Sequence, residues 1–263
     1  MTIKKAYADT QAGQIHYRYV PGEGVPLLFF HRTPASSISF EKMMTLLHGD
    51  RPLYAFDTPG FGASFVPPGM PLMPDYAAYM MAAVDVLGID RCHIFAHHTG
   101  THFATEMAAA HPDRVMSLML NGIAYMTAAE RLETSKTIKD PMPPDPDAKY
   151  ARATWQSVNN LFTEFDPELT PIEFLGALGS LTGRKQGFNA VWNQNYPEVL
   201  AKVTCPILAT CAEDEWLRPY FERLREERPD IKALVLGKAR FFTPEYDAER
   251  AVAAIREFLS EIE

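Results

Sequence analysis

Apolar positions along the chain follow two repeating patterns, and their alternation sets the expected architecture. Residues 14–20 (QIHYRYV) alternate as a half-buried strand does, and the PGEG that follows makes a turn. VPLLFFH, next in line, is a short unbroken apolar run, as in a strand buried on both faces. A short helix over 40–48 leads to a second buried strand at 52–56 (PLYAF), which stops at the turn-forming run Asp57-Thr58-Pro59-Gly60-Phe61-Gly62. The spacing at 74–88 predicts an amphipathic helix that Pro74-Asp75 opens and Gly88 ends. CHIFA (92–96) reads as a strand, Gly100 to His111 as a helix stopped by Pro112, and VMSLMLNG as a further strand. Strands alternating with helices, each strand solidly apolar, predict an α/β fold: a mostly parallel sheet covered on both faces.

The alternation lapses over 125–200. A proline-rich stretch (Asp140-Pro141-Met142-Pro143-Pro144-Asp145-Pro146) precedes helical segments rich in aromatics: Trp155, Phe162, Phe165, Phe174, Phe188 and Trp192. The strand signal returns with PILATC, followed by a helix over 217–227, the strand KALVLG and a last helix from Glu245 to Ile262. Because the late strands resume the early pattern, one core of residues 1–124 and 201–263 is expected, interrupted by a helical cap at 125–200. The aromatics are first of all the core of that cap. Those facing inwards, with Trp155 and Trp192 the candidates, would line an apolar substrate pocket.

Composition mainly excludes. A hydrophobic fraction of 47% and a charged fraction of 22% are ordinary for a globular chain. No apolar run approaches the roughly 20 residues of a membrane span, and the first residues lack the apolar core of a secretory signal. The three cysteines (Cys92, Cys205, Cys211) have no metal-type spacing, and an odd count makes a poor disulfide framework, so reduced thiols in a cytoplasmic protein are the simpler expectation. A net charge of −8 without a Lys/Arg block argues against nucleic acid. The expected partner is a small-molecule substrate, with no cofactor or metal, no membrane, and a homo-oligomer left open.

The chemistry concentrates at Cys92-His93-Ile94-Phe95-Ala96-His97-His98-Thr99-Gly100, which reads strand, sharp turn, helix. In a nucleophile elbow, G-x-S-x-G, small residues flank the nucleophile so that the turn can pass close to its neighbours. Here the five positions are Ala96-His97-His98-Thr99-Gly100. Further landmarks fall in order: His31-Arg32-Thr33-Pro34 after a strand, where an H-G-x-P oxyanion loop stands; Asp57 to Ser64 as a D-x-x-G-x-G-x-S turn; and Ala108 to Val115 as the end of the helix after the elbow. With these motifs in register over essentially its whole length, the chain resembles the α/β-hydrolase superfamily, most closely the capped branch with haloalkane dehalogenases and carbon–carbon hydrolases.

The resemblance also exposes departures. His98 stands where the family has serine, cysteine or aspartate. After PILATC, Ala212 replaces a usual glycine and Glu215 falls at the position of the family's acid, with Asp214 an adjacent alternative. In Gly237-Lys238-Ala239-Arg240-Phe241-Phe242, Arg240 falls where the family has its late histidine, and no histidine follows His111. The Ser-His-Asp constellation has become His98, Arg240 and Glu215, which excludes a serine-hydrolase mechanism at those positions.

A bland reading stands beside each candidate. His98 is a relic of a lost nucleophile, or a neutral imidazole able to act without a second histidine, since histidine ordinarily titrates near ~6.5. His97 is expected to pack under the elbow, His102 one helical turn on to be a buried hydrogen-bonded histidine, and His31 to fix its loop or to face substrate. Arg240 stays protonated and cannot be a base; it is expected to pair with Glu215 near His98, or to hold a substrate carboxylate or oxyanion. The oxyanion donors implied by the resemblance are the backbone N–H groups of Thr99 and of Arg32 or Thr33. Imidazole reaches farther than a seryl oxygen, so an acyl group on it can miss that hole, which favours His98 as general base over nucleophile. Three functions remain open: a hydrolase of a small, largely apolar ester, lactone or carbon–carbon bond; a non-hydrolytic lyase, cyclase or decarboxylase; and a binding protein that lost the chemistry.

Overall fold

The computed structural model describes residues 2–263. In chain order the core elements are β1 (Lys4–Asp9), β2 (Gln14–Val20), β3 (Leu27–Phe30), α1 (Glu41–Leu46), β4 (Leu53–Phe56), α2 (Met73–Val86), β5 (Cys92–His97), α3 (Thr99–Ala110) and β6 (Val115–Asn121). The helices α4 (Ala128–Thr137), α5 (Lys149–Asn159), α6 (Leu169–Gly179), α7 (Leu181–Trp192) and α8 (Tyr196–Leu200) come next. The core resumes with β7 (Ile207–Ala212), α9 (Arg218–Glu227), β8 (Lys232–Leu236), α10 (Thr243–Tyr246) and α11 (Ala248–Ile262).

The strands form one sheet in the order β1-β2-β4-β3-β5-β6-β7-β8, parallel from β4 to β8, with β1 and β2 antiparallel at one edge. The late strands β7 and β8 thus share the sheet of β5, as their apolar runs predict. Each central strand is apolar throughout because both faces are covered. In β3, Leu28 and Phe30 join the core beneath α2 and α3, while Leu27 and Phe29 join the one beneath α1 and α11. Strand β1, which the sequence reading missed, buries Ala8 and little else, so no apolar run marks it. The expected last helix is broken at Asp247, whose carboxylate accepts the Gly237 N–H at 2.7 Å instead of lying inside a continuous helix.

Strand β5 is central, with β3 on one side and β6 on the other, so its carboxyl end opens into a crevice between loops. The elbow sits at that end. Among the described residues no helix is long and apolar enough to cross a membrane.

Candidate active site

His98 joins β5 to α3 with φ 46° and ψ −112°, a conformation that L-residues rarely adopt. The turn is braced: its N–H donates to the Asn121 carbonyl at 2.9 Å, and its own carbonyl accepts from Thr101 N and Thr101 Oγ1. Strain held this firmly at the end of a central strand is characteristic of functional sites. Gly122, at the end of β6, makes room for the ring, because a Cβ there would fall 2.3 Å from His98 Cδ2. This requirement is invisible in the sequence, where Gly122 reads as an ordinary strand terminator.

Glu215 reaches the elbow directly. Its Oε2 lies 2.9 Å from His98 Nε2, and the two side chains are 2% and 12% exposed. The other carboxylate oxygen, Oε1, is buried without a partner, so among the described residues the imidazole is the one group that the Glu215 side chain grips. A carboxylate in its ionised form only accepts hydrogen bonds, so towards such a group Nε2 is the donor and Nδ1 is the ring nitrogen left for other chemistry. The adjacent Asp214 has a different task, accepting the N–H groups of Ala239 and Arg240 at 2.9 Å each and anchoring the loop after β8.

Arg240 does not pair with Glu215, contrary to expectation. Its backbone has φ 44° and is tied to Asp214, which turns the side chain away from the elbow. The guanidinium lies over the Phe241 ring at 5.7 Å and lines a separate cavity of about 370 Å³ with Asp214, Lys238 and Tyr246. Phe241 is the residue of this loop that meets His98, with ring centroids 5.8 Å apart.

His98 and Thr99 line a cavity of about 620 Å³. The core contributes Arg32, Thr33, Pro34, Trp216 and Phe241; α5 contributes Thr154, Ser157 and Val158; and α7 contributes Arg184 and Phe188. Neither expected tryptophan lines it. Trp155 packs between Phe165 and Phe174, and Trp192 stacks on Phe188 at the wall of a neighbouring cavity. Thr99 opens α3, so its N–H has no acceptor within the helix and remains available to the cavity. The Thr33 N–H is already donated to Thr99 Oγ1 at 3.3 Å. The Arg32 side chain is buried against Phe242 and paired with Glu173 of α6 at 2.6 Å.

The other histidines near the elbow, His31, His97 and His102, are engaged or enclosed. His31 donates from Nδ1 to the Arg32 carbonyl and accepts the Thr58 N–H at Nε2; burial lowers its pKa, and it holds two loops together. His102 is bonded to Gln194 at 2.5 Å, and burial pushes its pKa down to about 4. His97 lies fully buried under the elbow, edge-on to His98 at 4.4 Å, its pKa pushed well down first by burial and then by its neighbour. In the turn at Asp57, burial raises the carboxyl's pKa, but bonds from His16, Ser37 and Ala63 outweigh it and hold the group well below the usual range. That turn is scaffolding.

Comparison with known proteins agrees with this fold. A sequence model of the alpha/beta hydrolase fold matches residues 25–170, more than half of the chain. A fluoroacetate dehalogenase of Burkholderia sp is 32% identical over 104 residues, 38% of this chain and 34% of that protein. A haloalkane dehalogenase of Agrobacterium fabrum is 29% identical over 114 residues, covering 43% of this chain and 38% of that protein. The chain thus spans little more than a third of these curated relatives. Among solved structures, an esterase from Thermogutta terrifontis superposes with a TM-score of 0.79 over 98% of this chain and 99% of its own, at 20% identity. An enol-lactonase from Burkholderia xenovorans does so with 0.78 over 97% and 100%, at 16% identity. At such identities the likeness is one of fold.

Proposed function

Because the chain belongs to the α/β-hydrolase fold family, we propose that it is a hydrolase of small, largely apolar esters, lactones or carbon–carbon bonds, with His98 as a general base on water. The observation that carries this reading is the 2.9 Å bond from His98 Nε2 to a buried carboxylate whose only side-chain partner among the described residues is that imidazole. Such a bond orients the ring and fixes its tautomer, the two tasks that the acid performs for the histidine of a catalytic triad. Here both fall on the elbow itself, and no separate nucleophile is needed. The helices of residues 125–200 act as a cap over the cavity, supplying its outer walls through α5 and α7.

In the proposed step, water in the cavity attacks the substrate carbonyl carbon while Nδ1 takes its proton. Nε2–H stays on Glu215, which stabilises the imidazolium formed. The same proton then passes to the departing alkoxide, or to the departing carbanion of a carbon–carbon substrate, and the free imidazole is restored. The Thr99 N–H faces the developing oxyanion. A covalent acyl-imidazole is less favoured, because imidazole reaches farther than a seryl oxygen and would carry the acyl group past the Thr99 N–H.

The test is turnover in ¹⁸O-water of an ester and lactone series sized to the cavity. Wild type should place the label in the acid product. His98→Ala should abolish turnover with folding intact. Glu215→Gln should lower the rate on the order of 10²–10⁴-fold, as loss of the orienting acid does elsewhere. Undiminished turnover by His98→Ala would pass the chemistry to other groups. Label-free product formed at full rate would favour a lyase, in which the same base acts on a substrate C–H.

A further inference from the structure

We propose that the cavity is built for a substrate bearing a carboxylate, gripped by Arg184 while its apolar body lies against the walls around His98. This rests on the reading of that cavity as the substrate site. Arg184 lines it from α7, and among the described residues its guanidinium has neither an ion-pair nor a hydrogen-bond partner. Its Nε is buried and unsatisfied, a costly arrangement for a cation unless something supplies an acceptor. Burial also draws its pKa below the ordinary arginine value.

The other charges around the cavity are accounted for differently. Arg32 is matched by Glu173. The one acid in the lining, Asp140, is paired at 2.9 Å with Lys185, the residue next to Arg184. Lys139 adds a further cation at the rim, so the cavity keeps surplus positive charge inside a molecule whose net charge is −8. Such a concentration against the sign of the whole molecule selects for an anion.

The stretch of α7 that carries Arg184 is fixed against the core. Gly183 packs on the turn after β4 so closely that a Cβ there would strike the Gly60 carbonyl, and Gln186 donates to the carbonyls of Pro67 and Gly69 at 2.8 Å each. The planar fork of an arginine matches a carboxylate in two parallel hydrogen bonds. Around it stand Ile138, Met142, Val158, Leu161, Phe188 and Phe241, which suit an aliphatic or aromatic body and not a highly charged ligand.

Titration calorimetry on the whole chain tests this without turnover, using hexanoate and phenylacetate against their neutral amides. The acids should bind wild type about ten- to a hundredfold more tightly than the amides, the worth of a charge-assisted hydrogen bond. Arg184→Met should erase the difference while leaving amide binding and the unfolding midpoint unchanged or raised. Arg184→Lys should keep part of it. The preference should persist in His98→Ala, so that failure of the anion site and failure of the base are read in separate experiments. Acids that bind no better than amides, or not at all, overturn the proposal, as does an undiminished preference in Arg184→Met.

Discussion

At the scale of single residues, the site depends on two features of different visibility. Gly122 leaves the imidazole its space, and φ +68° there already disfavours any side chain. Gly122→Ala should therefore displace the ring from Glu215, lower turnover on the order of 10²-fold and cost about 1–3 kcal/mol of stability. Rate and urea midpoint measured together check this, and a fully active variant would mean that the ring is not held where the structure has it. The positions of His98 and Glu215 are legible in the sequence, because each occupies a fixed offset from a strand end, where backbone geometry dictates direction; their direct bond is not, since Glu215 is expected there to pair with Arg240. Arg240, Trp155 and Trp192 were misjudged for the converse reason. Each lies on a loop or helix whose rotation is set by tertiary contacts: Asp214 under Arg240, Phe165 and Phe174 around Trp155, Phe188 against Trp192. Arg184 is prominent because its side chain lacks a partner among the described residues, and a missing partner cannot be read from spacing.

At the scale of elements, strands buried on both faces declared themselves, whereas β1 is a polar edge strand with one inward residue and did not. The contact between α6 and the loop after β3 was equally hidden, since Arg32 and Glu173 are far apart in sequence. That pair is almost wholly enclosed, with side chains 3% and 2% exposed, and it fastens an inserted helix to the loop beside the elbow. Removing one partner leaves the other charged and unmatched, so Glu173→Leu should cost about 3–5 kcal/mol, whereas Arg32→Met with Glu173→Leu should cost clearly less than the two single changes combined. Denaturant unfolding of the four proteins measures the coupling. Strict additivity would show that the pair does not fasten α6. Limited proteolysis of residues 138–170 adds an independent reading, for a released helix should be cut faster while the sheet stays resistant.

At the scale of the whole molecule, buried titratable groups oppose one another across the pH range. The Glu245 carboxyl is enclosed beside Arg32 and Glu173 with neither oxygen bonded, and burial raises its pKa to about 8 despite the pull of Arg32. In the unfolded chain it would titrate near the ordinary glutamate value of 4.5. Between those values the folded state holds a proton that the unfolded state has released. The stability linked to Glu245 is therefore full below pH 4.5 and is lost as pH rises towards 8. His102 acts in the opposite sense: with a folded pKa of about 4 against 6.5 unfolded, its contribution is present above pH 6.5 and lost as pH falls towards 4. His31, His93 and His97, all lowered first by burial, reinforce that acid limb. Glu245→Gln keeps the shape of the neutral acid but has no proton to lose. The variant and wild type should have the same urea midpoint near pH 4.5, and the variant should become progressively more stable than wild type up to about pH 8, each unit of displaced titration being worth about 1.4 kcal/mol at most. Its acid limb should be unchanged, because that limb belongs to the histidines. Midpoints that run parallel from pH 4.5 to 8.5 would mean that Glu245 is ionised in the folded protein, with Arg32 as its counter-charge in place of a neutral buried acid.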